Sequence, residues 1–334
     1  MTIARAAAIG GGVIGAGWLA RLVLNGIDVA LYDPDPQAER KVGEVMEIAR
    51  RAYRQMADAL PKEGRVSYAA SIADAVAGAD FIQESVPERL DLKHKVLAEI
   101  DRHAPADALV GSSTSGIKPT DMQAAMKNPE RLVVAHPFNP VYLLPLVEIV
   151  GGEKTSAETI ARAREAYAAI GMKPVVIRKE IEAFVGDRLL EALWREALWL
   201  VRDDITTVEE LDDIIRYSFG LRWAQMGLFQ TYRIAGGEAG MRHFMAQFGP
   251  CLQWPWTKLT DVPELTDELV DKIAGQSDAQ AAGLSIRDLE RIRDDNLVAI
   301  LKALGQQNSG EGWGAGRLQN DYAAQLAARA AKGG

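Results

Sequence analysis

From residue 4 to residue 179 the chain alternates short apolar runs with longer stretches of helical period, the pattern of a parallel sheet flanked by helices. The runs at 6–9, 29–32, 80–84, 108–112, 132–135 and 175–177 predict strands. Between the second and third of these, Val42, Val45, Met46, Ala49, Tyr53, Met56 and Leu60 fall at helical spacing and predict one long amphipathic helix. After Glu182 the strand signals stop. Helical patterns then run through Gly305, beginning at 187–201 with apolar Leu189, Leu190, Leu193, Leu198 and Leu200. The expected fold is a doubly wound α/β domain over 1–180, then a mainly α-helical second domain over 181–305. The tail, 306–334, holds a glycine-rich stretch and an alanine-rich helix, and reads either as a docking arm or as a mobile extension.

Composition narrows the function classes. The 334 residues carry 38 basic against 46 acidic side chains, a formal charge of −8, which argues against a sequence-independent grip on nucleic acid or anionic lipid. The single cysteine, Cys251, excludes an internal disulfide, and no Cys/His cluster has metal-ligand spacing, so no metal site is expected. The apolar start at 6–24 has the length of a signal segment but not its make-up. Five glycines lie between Gly10 and Gly17, and Arg21 interrupts the run. A cytoplasmic protein is expected.

The first predicted strand runs directly into Gly10-Gly11-Gly12-Val13-Ile14-Gly15, a G-x-G-x-x-G turn opening a helix. Gly10 permits the tight turn, Gly12 lets a pyrophosphate approach the backbone N–H groups, and Gly15 lets helix and strand pack closely. Asp33, 18 residues past Gly15 at the end of the second strand, is placed to accept hydrogen bonds from both adenosine ribose hydroxyls. A carboxylate there repels a 2′-phosphate, so the expected cofactor is NAD.

Hydride transfer from an alcohol needs a base for the hydroxyl proton, and histidine titrates nearest neutrality. Of the four histidines, His94 and His103 lie in a charged helical segment and His243 among aromatic residues. His136 closes a strand and opens the turn His136-Pro137-Phe138-Asn139-Pro140, at the edge where open α/β sheets place their sites. Glu148, 12 residues on, stands in an apolar run where a carboxylate is costly unless paired, and a histidine is a natural partner. By spacing alone, a structural histidine and a solvated glutamate explain the same residues.

The glycine-rich start, Ser113-Thr114-Ser115, the His136–Pro140 turn and Leu146-Val147-Glu148 together resemble the 3-hydroxyacyl-CoA dehydrogenase family. The resemblance implies that His136 is the base, that Glu148 orients it and that Ser115 hydrogen-bonds the reacting oxygen. It also implies that Glu88 and Lys93 contact the nicotinamide end of NAD, that Asn139 helps bind substrate, and that the chain forms a homodimer through its helical domain.

One departure bears on the substrate. Where the family carries asparagine at the start of the second domain, this chain has Asp187, with Glu191 and Trp194 completing an i, i+4, i+7 stripe. These residues are assigned to a cationic substrate group. A quaternary ammonium is held by aromatic faces and negative charge, and the chain offers Trp223, Phe229, Tyr232, Phe244, Phe248, Trp254 and Trp256, with Phe138 and Tyr142 beside the turn. Most aromatic residues of a helical domain are nonetheless expected in its core. The resulting expectation is NAD-dependent oxidation of the 3-hydroxyl of a short, cationic hydroxy acid.

Three alternatives stay open. A coenzyme A thioester would use Arg50, Arg51, Arg54, Lys62 and Arg65. The L-gulonate dehydrogenase and lambda-crystallin group shares the catalytic set, and a non-enzymatic NAD-binding protein could share the fold.

Overall fold

A computed structural model describes residues 3–235, 238, 240–248, 257, 264 and 266–332. The chain divides into two units, Met1–Val185 with Arg291–Gly334, and Gly186–Glu290. The first holds β1 (Arg5–Ile9), α1 (Val13–Leu24), β2 (Asp28–Tyr32), α2 (Ala38–Met56), β3 (Val66–Tyr68), α3 (Ile72–Val76), β4 (Phe81–Glu84), α4 (Leu90–His103), β5 (Leu109–Ser112), α5 (Pro119–Gln123), β6 (Leu132–Pro137), β7 (Leu146–Gly151), α6 (Ala157–Ala169) and β8 (Lys173–Ile177). The helices α7 (Gly186–Arg202), α8 (Val208–Tyr217), α9 (Phe219–Ala235), α10 (Gly240–Phe248) and α11 (Asp267–Ala281) form the second. Helix α12 (Ile286–Gly305) belongs to the first unit from Arg291 onward, as does α13 (Ala315–Lys332).

The sheet has eight strands in the order β3-β2-β1-β4-β5-β6-β7-β8. The six from β3 to β6 run parallel, β7 is antiparallel to β6, and β8 is parallel to β7. The central strands are buried at nearly every position because helices cover both faces. The six predicted strands are present. Edge strand β3 escaped the pattern because Ser67 and Tyr68 are exposed and Val66 half-buried, leaving no alternation to read. Strand β7 lies within the apolar run around Glu148, and its pairing with β6 and β8 marks it as a strand.

Strand order reverses at β1, which pairs with β2 on one side and β4 on the other, so the crevice at its carboxyl end opens beside the glycine turn. Helix α2 buries Val42, Met46, Ala49, Tyr53 and Met56, the face its spacing predicts, and packs on α1. The tail is part of this unit. Tyr322 and Leu326 of α13 join the core cluster of Trp18, Leu19 and Tyr53, because a helix with one apolar stripe gains stability by burying it.

The second unit is helical throughout its described residues. Thr207 and Glu210 form a reciprocal cap at the start of α8, and α9 breaks at Gly227, whose φ is 69°. Tyr232 stacks on Phe244 at 4.6 Å between α9 and α10. Among the described residues, no helix is long and apolar enough to cross a membrane, and no group of three His, Cys, Asp or Glu side chains could hold a metal.

Candidate active site

Because β1 and β6 point the same way, the glycine turn after β1 and His136 near the end of β6 share the carboxyl edge of the sheet. Gly10 has φ +101° and a Cβ there would lie 2.6 Å from the Ser85 carbonyl oxygen. A Cβ on Gly15 would lie 1.9 Å from the carbonyl oxygen of Gly10. At Gly12, by contrast, the space a Cβ would enter is open, and α1 begins at the next residue. Val13 is exposed and Ile14 half-buried at the mouth of the turn. Open space before a helix N-terminus fits a pyrophosphate. Asp33 lies beside this turn, half-buried, its carboxylate accepting from the N–H of Gly11 at 2.6 Å and of Asp35 at 2.7 Å.

The antiparallel pairing of β6 and β7 sets His136 directly opposite Glu148. His136 Nδ1 and Glu148 Oε2 are 2.9 Å apart, and both side chains are 4% exposed. The second carboxylate oxygen accepts the backbone N–H of Val185 at 3.2 Å. Phe138 and Phe184 tilt against the imidazole at centroid distances of 5.0 and 5.5 Å. Ala183 and Phe184 adopt left-handed φ values of 58° and 48°, which cost of order 1–3 kcal/mol each. Complete burial of the Phe184 ring and the Val185–Glu148 bond offset that strain. Beyond Phe138 the turn exposes Asn139, which a cis peptide bond joins to Pro140.

Ser115 follows β5 in a loop pinned from both sides. On one, Ser113 Oγ accepts from Trp18 Nε1 at 3.0 Å and Gln83 Nε2 at 2.7 Å. On the other, Glu88 Oε1 accepts from the Thr114 hydroxyl and from the N–H groups of Ser115 at 3.1 Å and Gly116 at 2.9 Å. Partial burial alone would raise the Glu88 carboxyl, but the Thr114 hydroxyl, the Gly116 N–H and Lys93 outweigh it and hold the group below its ordinary value. Ser115 itself is exposed.

Lys93 lies buried next to Glu88. Its ammonium is 1% exposed, bonded to Glu84 at 2.9 and 3.2 Å and to the Val86 carbonyl at 3.3 Å, with Glu88 at 3.6 Å. A buried ammonium with these partners braces the loops that carry Glu84 and Glu88.

Other candidates are not brought to this edge within the first unit. Asp187, Glu191 and Trp194 lie on α7 of the second unit, with Asp187 half-buried and the other two exposed. Tyr142 is 5% exposed and its hydroxyl donates to Asp294, so it is a core residue and not an open ring for a cation. The second-unit aromatics among the described residues are less buried than expected, with Phe229 75% exposed and Tyr232 38%. Trp254, Trp256 and Cys251 lie outside the described residues. The basic residues considered for coenzyme A are largely paired within the chain: Arg50 with Glu47 and Glu63, Arg51 with Asp295, and Arg65 with Asp28. The ring of His94 bonds the Asp121 carbonyl at 2.8 Å, and His103 lies 3.4 Å from Glu99.

Sequence reasoning missed Val185, Phe184 and the Glu88–Thr114 link, all contacts made across long stretches of chain. Only Glu88 carried a signal, as a carboxylate after Val86-Pro87.

Residues 5–181 match the model for the 3-hydroxyacyl-CoA dehydrogenase NAD-binding domain, and residues 184–271 match that family's C-terminal domain. With the glycine turn in place, these matches make the chain an NAD-dependent oxidoreductase acting on a CH–OH group. It belongs to the 3-hydroxyacyl-CoA dehydrogenase family. The chain is 77% identical over 332 residues to an L-carnitine dehydrogenase of Mesorhizobium japonicum, covering 99% of this chain and 91% of that one. It is 68% identical to an L-carnitine dehydrogenase/betainyl-CoA thioesterase of Rhizobium meliloti, of which it spans 66% while 97% of this chain is covered. Among solved structures it is similar to an NAD-dependent 5-formyl-3-hydroxy-2-methylpyridine 4-carboxylic acid 5-dehydrogenase. That match has a TM-score of 0.77 and 30% identity, covering 92% of this chain and all of that one.

Proposed function

We propose that this protein oxidises the 3-hydroxyl of L-carnitine to the 3-oxo acid, with His136 as base and Glu148 as its orienting carboxylate. The observation that carries the reading is the buried His136–Glu148 pair at 2.9 Å on the same sheet edge as the glycine turn. Glu148 keeps a proton on Nδ1, so Nε2 is the nitrogen that takes the hydroxyl proton, and the carboxylate offsets the positive charge that then forms on the ring. The Ser115 hydroxyl donates to the substrate oxygen as it becomes a carbonyl, and Asn139 contacts the substrate from the turn. NAD, when bound, supplies the hydride acceptor. Gly10, Gly12, Val13, Ile14 and Gly15 hold its pyrophosphate, and Asp33 its ribose. Glu88 keeps the Ser115 loop in place beside the nicotinamide end, braced by Lys93.

Relatives named for L-carnitine support the choice of substrate. Asp187 and Glu191 on α7 supply the negative charge that a trimethylammonium group requires, and Trp194 on the same stripe supplies a ring. The internal pairing of Arg50, Arg51 and Arg65 speaks against a coenzyme A thioester. A homodimer through the helical unit belongs to the same reading, supported by the exposed Ile214, Tyr217, Leu221, Phe229 and Ile234. Light scattering of the purified protein tests it.

The substrate assignment is tested by following NADH absorbance with L-carnitine, 3-hydroxybutyryl-CoA and L-gulonate in parallel. Turnover of carnitine at least tenfold more efficient than of the others is expected. Preference for the thioester or gulonate would replace the substrate, and no signal with any would favour a binding protein.

A further inference from the structure

Arg21 lies in the last turn of α1 and is 1% exposed. Its guanidinium donates from Nε to the Val141 carbonyl at 2.8 Å, from Nη1 to that of Ile170 at 3.0 Å and from Nη2 to that of Leu144 at 3.3 Å. Each of these partners is a neutral backbone carbonyl. Burying an arginine this way is expensive, and an apolar side chain would fill an interior helix face at less cost. The planar fork is suited to fixing several acceptors at set angles. Two of the three carbonyls follow the cis Asn139–Pro140 bond, in the segment that leaves His136.

The same helix begins at the glycine turn, so Arg21 ties the helix facing the cofactor to the segment carrying the base. Two contacts tighten the link. A Cβ on Gly17 would lie 2.9 Å from Val141, so the turn sits directly on α1. The guanidinium also lies 5.7 Å from the ring of Tyr322, whose hydroxyl bonds Asn25 and, at 2.8 Å, Tyr53. Gly171 makes room for that ring, since a Cβ there would lie 2.4 Å from it.

We propose that Arg21 is a positioning residue that sets the base-bearing turn against the cofactor helix, held in its pose by Tyr322 of the C-terminal helix. This rests on the roles given above to His136 and the glycine turn. Arg21→Lys retains charge but cannot span three carbonyls. In the full-length protein it should leave the NAD Kd within about twofold and lower kcat by about ten- to a hundredfold, the scale of a misplaced reacting geometry. It should also raise the deuterium isotope effect on kcat with carnitine labelled at the carbinol carbon, and speed amide exchange across residues 138–146. Tyr322→Phe, which removes one hydroxyl, should move all three readouts the same way by less, and serves alone if Arg21→Lys does not fold. Unchanged kcat and isotope effect in a folded variant, or a kcat loss matched by weaker NAD binding, would overturn the proposal. If wild-type protein is inert toward carnitine, the substrate reading fails, and the exchange data alone decide whether the clamp exists.

Discussion

The two units bury their chemistry differently. In the first, His136, Glu148, Glu84 and Lys93 are all nearly inaccessible, and among the described residues no buried side-chain polar atom lacks a partner. In the second, Glu191, Trp194 and Phe229 lie on helix surfaces, with Trp194 54% exposed and Phe229 75%. Buried polar groups interact strongly because water does not compete, and losing one partner strands the other. Surface charges are screened and contribute little one at a time. Changes in the first unit should therefore abolish a step, and changes in the second should adjust an affinity.

The sharpest separation is expected from His136→Ala, which should lower kcat by about two to four decades without weakening NAD binding. Single-turnover NADH formation together with an NAD titration checks this, and near-normal turnover would break the contrast at its strongest point. Glu148→Gln keeps the shape of the pair but loses a charge-assisted bond worth ~1.5–3 kcal/mol. Rates about ten- to a hundredfold lower should follow, read as kcat across pH.

Glu88 should give a smaller effect with a definite sign. Its carboxyl is held below its ordinary value of 4.5, so ionisation stabilises the folded Ser115 loop above that value, and this contribution disappears as pH falls through the lowered one. Thermal melts from neutral to acid pH should therefore show a shallower acid limb in Glu88→Gln than in wild type. The side chain is 43% exposed, so solvent screening keeps the difference modest. An identical acid limb would remove Glu88 from the loop's support. Asp101, buried and likewise held low against burial by Arg131, is unchanged in that comparison.

Asp187→Asn in the second unit should have the smallest effect, a rise of about two- to fivefold in the carnitine KM with kcat preserved, as fits one solvent-screened ion pair of ~0.5–1 kcal/mol. A KM that does not move, or a kcat that collapses, would erase the proposed difference between the units.

By itself the sequence determined the six principal strands, the amphipathic face of α2 and the turn from Gly10 to Gly15, because each is written in a local period or in a residue type with one backbone use. It also brought His136 and Glu148 forward as candidates, though spacing could not distinguish a pair from two unrelated residues. Only the tertiary structure decided that β7 turns back along β6, setting the carboxylate opposite the imidazole. The burial of Lys93, the grip of Arg21 on the turn and the return of α13 to the first unit are likewise tertiary. Those features depend on which distant segments meet, and the free energy that selects them comes from shared burial and paired polar groups that no local stretch of chain contains.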